Sequence, residues 1–146
     1  MTIKDDKDLK KFRLRQTNKE NGNKNMSFRR LLNSFKFSFD GLIYAYTNEQ
    51  SMFIHISITL VTVLGGIYFD ISRMEWLFVM MMIGLVVAAE LINTAIEATI
   101  DLLTDKFHPL AKIAKDTGSA AVLALSTVAF VGAAIIFIPC IITKWF

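Results

Sequence analysis

Hydrophobic and polar positions divide this chain into a polar start, one amphipathic stretch and three greasy runs. Residues 1–26 are Lys- and Asn-rich and carry no apolar period, which predicts a disordered tail. From residue 27 the pattern changes. Phe28, Leu31, Leu32, Phe35, Phe39, Leu42, Ile43 and Tyr46 recur at steps of three and four, with Arg29, Arg30, Lys36 and Asp40 elsewhere on the wheel. That spacing predicts an amphipathic helix over 27–46 with Ser27 as its N-cap. An aromatic apolar face opposite a basic polar face suits a helix lying in a membrane interface.

The three apolar runs cover residues 53–69, 74–100 and 120–143. A membrane span needs about 20 predominantly apolar residues, with a range of about 17–25, so three spans are predicted near 53–69, 76–100 and 120–143. The short 70–75 turn makes the first two antiparallel neighbours. Between the second and third, a loop over 104–118 is expected to break at His108-Pro109, with a new helical pattern beginning near Leu110. The reading is an all-α membrane protein: a surface helix plus three transmembrane helices in a single domain over 27–146.

Composition and charge sharpen this picture. The chain has 146 residues, 53% of them hydrophobic, which fits one membrane domain. Of its 16 Lys and Arg, eleven precede residue 50. Positive segments stay in the cytoplasm, so the N-terminus and the 101–118 segment are expected inside, and the 70–75 turn and the C-terminus outside. Attraction to anionic lipid accounts for the basic N-terminal region, and no nucleic-acid partner is expected. The first 50 residues have no apolar core followed by small residues, so no cleaved leader is expected. The single cysteine, Cys140, can form no intrachain disulfide and reads as a small packing residue. Trp76 and Trp145 read as interface anchors.

Candidate chemistry enters with two carboxylates. Residues 76–89 carry no charge, yet Glu90 and Glu97 follow directly. An ionisable side chain at membrane depth costs about 2.5–3.5 kcal/mol on insertion scales. Two turns apart, they share a helix face with Asn93, Thr94 and Asp101. Glu49 opens the first span, and Lys115, Asp116 and Ser119 lead into the third, so three helices bring polar groups to one membrane face. Hard cations such as Mg²⁺ take one or two carboxylates plus substrate phosphates. A carboxylate in a partly dehydrated site can also accept a hydroxyl proton. The set suits phosphoryl transfer to a hydroxyl at the membrane surface. The glycines form neither a P-loop nor a G-x-G-x-x-G fingerprint. On residues alone, a lipid-modifying enzyme, a small ion or proton carrier, and a structural protein with interhelical hydrogen bonds all stay open. His55, just inside the first span, reads as a packed or hydrogen-bonded residue, and Asp101 either joins the site or caps its helix in water.

These segments resemble the bacterial integral-membrane diacylglycerol kinase / undecaprenol kinase family. The resemblance rests on Asn48-Glu49, on Glu90-Leu-Ile-Asn-Thr-Ala-Ile-Glu97 with Asp101, on His108-Pro-Leu-Ala-Lys-Ile-Ala-Lys-Asp116, and on Gly118-Ser-Ala-Ala-Val122, and it runs over about 27–143. It implies an ATP-dependent lipid kinase of the bacterial cytoplasmic membrane, a homotrimer with active sites shared between protomers. Carried over, Glu90 is the general base on the lipid hydroxyl, and Asn93 orients the carboxylate or substrate. Glu49 and Glu97 hold the Mg²⁺ that bridges the ATP phosphates. Lys115 and Asp116 contact the nucleotide, His108 with Lys106 and Phe107 lies near adenine and ribose, Arg30 is a basic nucleotide contact, and Ser119 faces the lipid. Two positions depart from the family pattern: Phe53 stands where an Arg is frequent, and Phe37 where diacylglycerol-type members carry Tyr. Ile54-His55 and the 108–116 segment resemble the undecaprenol kinases of Gram-positive bacteria, whereas Thr117-Gly-Ser-Ala-Ala-Val122 is closer to diacylglycerol-type enzymes. Undecaprenol is the expected substrate and diacylglycerol the alternative.

Overall fold

The computed structural model describes residues 28–145, with Arg29 described by its backbone alone. The polar tail and the expected cap Ser27 lie outside the described residues. Every regular element described is helical: α1 (Phe28–Asn48), α2 (Gln50–Tyr68), α3 (Arg73–Leu103) and α4 (Pro109–Trp145). The chain divides into two compact units within α1, after Ser38, and the second unit carries the three long helices.

α1 runs two residues past its expected end. Near that end Asn48 Nδ2 donates to the Tyr44 carbonyl at 2.8 Å and Thr47 Oγ1 to the Ile43 carbonyl at 2.8 Å. A single extended residue, Glu49, then separates α1 from α2. The connection between α1 and α2 is therefore one residue long, and the first span-length helix starts at Gln50 rather than near 53.

α2, α3 and α4 are each long and apolar enough to cross a membrane. α3 has 31 residues and α4 has 37. At 1.5 Å per residue they measure about 46 and 55 Å, against a hydrocarbon layer of about 30 Å. Much of the surplus lies where the two meet the 104–108 connection and bears Asp101, Lys112, Lys115 and Asp116. Large apolar side chains face outward on all three, among them Val61, Met80, Leu123 and Phe130, as expected of helices that are hydrophobic all round.

The sharp turns are chemically specified. α2 ends in a paired-bond cap: Ile71 N–H donates to Gly66 O at 3.2 Å and Asp70 N–H to Ile67 O at 3.3 Å, the Schellman pattern. It requires a left-handed residue, here Asp70 with φ 50°. α3 opens with a capping box, in which Glu75 Oε2 accepts from Ser72 N–H at 2.7 Å and Ser72 Oγ from Glu75 N–H at 3.4 Å. Ser72-Arg-Met-Glu75 carries that signal in the sequence, so α3 starts within the expected 70–75 turn, just before the span expected from 76.

The irregular connection is 104–108, and the helix expected from near Leu110 begins one residue earlier, at Pro109. Proline is favoured at a first helical position, where its missing N–H costs nothing. His108 Nδ1 accepts from Leu110 N–H at 3.2 Å, so α4 begins at Pro109 and Lys112 to Gly118 are helical.

A small core gathers near the 69–72 turn: Ile71, Val79 and Ile136 are buried, with Trp76, Phe78, Phe137 and Cys140 packed on them. Trp76 thus packs inward, while Trp145 is exposed. A Cβ on Gly66 would lie 2.9 Å from the Trp76 ring, so the bare backbone admits the indole. Cys140 Sγ donates to Ile136 O at 3.2 Å, in keeping with a packing role. Lys144 Nζ donates to Tyr68 O at 3.3 Å and sits 3.8 Å from the Tyr68 ring centroid. It places positive charge on the C-terminal carbonyls of α2, where the helix dipole favours it.

Candidate active site

The opposite end of the bundle holds the polar groups. Glu90, Asn93 and Thr94 are the buried polar residues described, at 4%, 7% and 6% exposure. They continue the buried stripe of α3 begun by Val79, Met82 and Val86, so the 3.6-residue period carries one face from apolar packing into a polar seam.

Glu90 and Asn93 meet partners on that seam, whereas Thr94 Oγ1 is buried without a hydrogen-bond partner. Ser51 Oγ on α2 donates to Glu90 Oε1. His55, one turn further along α2, brings Nε2 to 3.9 Å from Glu90 Oε2. Asn93 Nδ2 donates to Glu97 Oε1 at 3.0 Å, an i,i+4 pair along α3. Asn93 Oδ1 is buried without a hydrogen-bond partner and lies against Gly118 of α4, where a Cβ would collide with it. At the end of the seam, Lys115 Nζ of α4 donates to Asp101 Oδ1 of α3.

Glu49 occupies the N-cap position of α2, yet its side chain makes no capping bond. Partial burial, then the carboxylates of Glu97, Glu90 and Asp101, push its carboxyl above the ordinary value of 4.5. Three carboxylates of α3 thus bear on Glu49 at the start of α2, and a divalent cation would relieve that repulsion. Among the described residues no group of three or more His, Cys, Asp and Glu forms a complete metal cage. Two carboxylates completed by phosphate oxygens is the usual Mg²⁺ arrangement, and Glu49 with Glu97 fits it.

Beside the seam, the 104–108 connection and the start of α4 frame an open groove of about 590 Å³. Asp101, Lys106, His108, Lys112, Lys115 and Asp116 line it, together with Phe107. Its cationic side chains suit phosphate oxygens. Lys115 and Asp116 are not each other's partners: Lys115 meets Asp101, and Asp116 meets Lys112 within α4. Asp101 is thereby tied to α4 and does not cap α3, whose C-cap is Thr104. His108 caps the start of α4 through Nδ1 and directs its other ring nitrogen elsewhere. Ser119 is exposed on α4, and Arg30 is exposed on α1 in the first unit.

One neighbour of Glu90 escaped the sequence reading: Ser51 carried no signal of its own, since a serine near a helix start is common. His55, read as packed or hydrogen-bonded, stands beside the same carboxylate. Their i,i+4 spacing on α2 was the available clue, because it puts both on one face.

A buried carboxylate tied to a neighbouring helix, further carboxylates beside it and a basic groove lie together at one end of three span-length helices, an arrangement compatible with a membrane enzyme that handles phosphate. The chain matches the prokaryotic diacylglycerol kinase family over residues 36–137 and belongs to it. It is therefore a lipid kinase. It is 34% identical over 110 residues to the undecaprenol kinase of Bacillus subtilis, covering 75% of this chain and 89% of that protein. It is 35% identical over 100 residues to the diacylglycerol kinase of Pseudomonas aeruginosa, covering 68% and 81%. It is 31% identical over 109 residues to the diacylglycerol kinase of Escherichia coli K12, covering 75% and 89%.

Proposed function

We propose that this kinase transfers the γ-phosphoryl group of ATP to undecaprenol, giving undecaprenyl phosphate, with diacylglycerol as the alternative acceptor. The observation that carries the phosphoryl-transfer chemistry is the buried Glu90 carboxylate, with Ser51 on one oxygen, next to the Glu49, Glu97 and Asp101 cluster. The choice of undecaprenol rests on the likeness to the Bacillus subtilis enzyme and on the Ile54-His55 and 108–116 segments.

In this reading Glu90 takes the proton of the lipid hydroxyl as general base. Asn93 holds Glu97 and orients the seam. Glu49 and Glu97 hold Mg²⁺, which neutralises the phosphate charge when bound. Lys115 contacts phosphate after leaving Asp101, and Asp116, His108, Lys106 and Phe107 serve the nucleotide from the groove. Arg30 supplies a further basic nucleotide contact, and Ser119 faces the lipid. The apolar face of α1 lies on the cytoplasmic membrane surface. The N-terminus is cytoplasmic and the C-terminus external by the charge asymmetry. Outward apolar faces on all three spans are consistent with a homotrimer sharing its active sites.

Transfer of labelled γ-phosphate in mixed micelles, with undecaprenol and diacylglycerol side by side, tests this. Faster transfer to undecaprenol is expected. Preferred transfer to diacylglycerol overturns the substrate assignment, and transfer to neither overturns the lipid-alcohol reading.

A further inference from the structure

Both oxygens of Glu90 are defined from one helix. Ser51 occupies Oε1 by hydrogen bond. His55 stands 3.9 Å from Oε2, beyond hydrogen-bonding distance. Oε2 therefore keeps its acceptor capacity while the imidazole limits how far the carboxylate can swing. α4 contributes no acidic, basic or imidazole side chain between Asp116 and Lys144. A glutamate has several rotatable bonds, and ordering such a side chain costs up to about 1.5–2 kcal/mol. Ser51 and His55, fixed on α2, supply that order before substrate arrives.

We propose that Ser51 and His55 are positioning residues for phosphoryl transfer, with Ser51 fixing the plane of the Glu90 carboxylate through Oε1 so that Oε2, on the His55 side, is the oxygen that accepts the alcohol proton. The inference rests on Glu90 acting as the base. As the lipid oxygen bonds to the γ-phosphorus, the bond from that phosphorus to the β,γ-bridging oxygen breaks. Its electron pair leaves with ADP, and the alcohol proton moves to Glu90 Oε2. No other oxidant, reductant or reactant is needed. A neutral hydroxyl at position 51 and an imidazole at 55 thus act on rate through the orientation of another side chain and not by binding nucleotide.

The test is steady-state kinetics of the full chain in mixed micelles, with kcat expressed per Mg·ATP-binding site so that misfolded protein does not count. Ser51→Ala is expected to lower kcat about tenfold, with the KM values for lipid and Mg·ATP within about twofold of wild type. Ser51→Thr keeps the hydroxyl and restores most of the loss. His55→Leu is expected to lower kcat severalfold, and His55→Gln, which keeps a polar group at similar reach, recovers it. Wild-type kcat in Ser51→Ala, or a raised Mg·ATP KM at unchanged kcat, overturns the role of Ser51. Wild-type kcat in His55→Leu overturns that of His55. Glu90→Gln separates the two levels. If it is inactive while Ser51→Ala is fully active, positioning alone fails; if it is fully active, the base assignment fails with it.

Discussion

Asn93 on α3 turns its side-chain oxygen to the bare face of Gly118 on α4 and its amide nitrogen to Glu97, 3.0 Å away. The glycine leaves room for an amide that in turn fixes a carboxylate. The relationship is one of space, since a Cβ at 118 would overlap Asn93 Oδ1.

Gly118→Ala should therefore displace Asn93 and loosen Glu97. Overpacking of a tight site costs about 1–3 kcal/mol, but the larger effect falls on activity. Phosphoryl transfer is expected to drop about tenfold or more, with a raised KM for Mg·ATP. Kinetics with varied Mg·ATP check this, and an unchanged KM would detach Gly118 from the site.

Glu90→Gln and Glu97→Gln should fail differently. Glutamine keeps the shape of Glu90 but cannot accept the proton, so turnover is abolished while nucleotide still binds. Glu97→Gln removes a charge from the proposed Mg²⁺ pair and weakens Mg·ATP binding, with partial rescue at high Mg²⁺. Nucleotide binding measured beside turnover distinguishes them; equal loss of binding in both variants would contradict the division of labour.

Acidity reports on Glu49. Burial and neighbouring carboxylates raise its carboxyl in the folded state above 4.5. The folded protein then holds a proton that the unfolded chain releases, so this contribution to stability is complete below 4.5 and is lost as pH rises through the folded value. Glu49→Gln lacks the titration. Thermal unfolding in micelles should show the wild type losing stability relative to Glu49→Gln as pH rises through that window, and Mg·ATP should reverse the difference. Parallel curves would mean that the acidic cluster does not act on Glu49.

At the far end of the bundle, Asp70 holds the left-handed position of the α2 cap. Left-handed geometry costs L-residues roughly 1–2 kcal/mol, less for Asp and Asn, and nothing comparable for glycine. Asp70→Gly is expected to leave stability equal or raised by up to about 1 kcal/mol, and Asp70→Val to lower it by about 1–2 kcal/mol, neither touching kinase activity. Unfolding midpoints of both variants check this. Stabilisation by Val would show that the turn rearranges.

Much of the architecture was legible before any coordinates. Uninterrupted apolar runs had to become spans, because an exposed backbone in lipid is costly and a helix satisfies its own. Glu90, Asn93 and Glu97 had to share a face, because helical periodicity fixes it. Boundaries were less legible. The surface helix continues two residues past 46, and α2 begins at Gln50 although the apolar run of the first span begins only at Phe53.

What the sequence could not determine was which residues meet across helices. Periodicity fixes the face a residue occupies on its own helix but says nothing of how far two helices slide past one another. Lys115 and Asp116 are neighbours in sequence, yet the packing gives Lys115 to Asp101 of α3, while Asp116 meets Lys112 one turn earlier on its own helix. Ser51 sits 39 residues from Glu90 and becomes its donor. The sequence by itself determined three spans, a polar seam and the kinase family to which they belong. The register between α2, α3 and α4 decided that Glu90 is held by Ser51, that Asn93 rests on Gly118, and that the acidic cluster closes on Glu49, because contacts between side chains depend on relative translation that no single helix encodes.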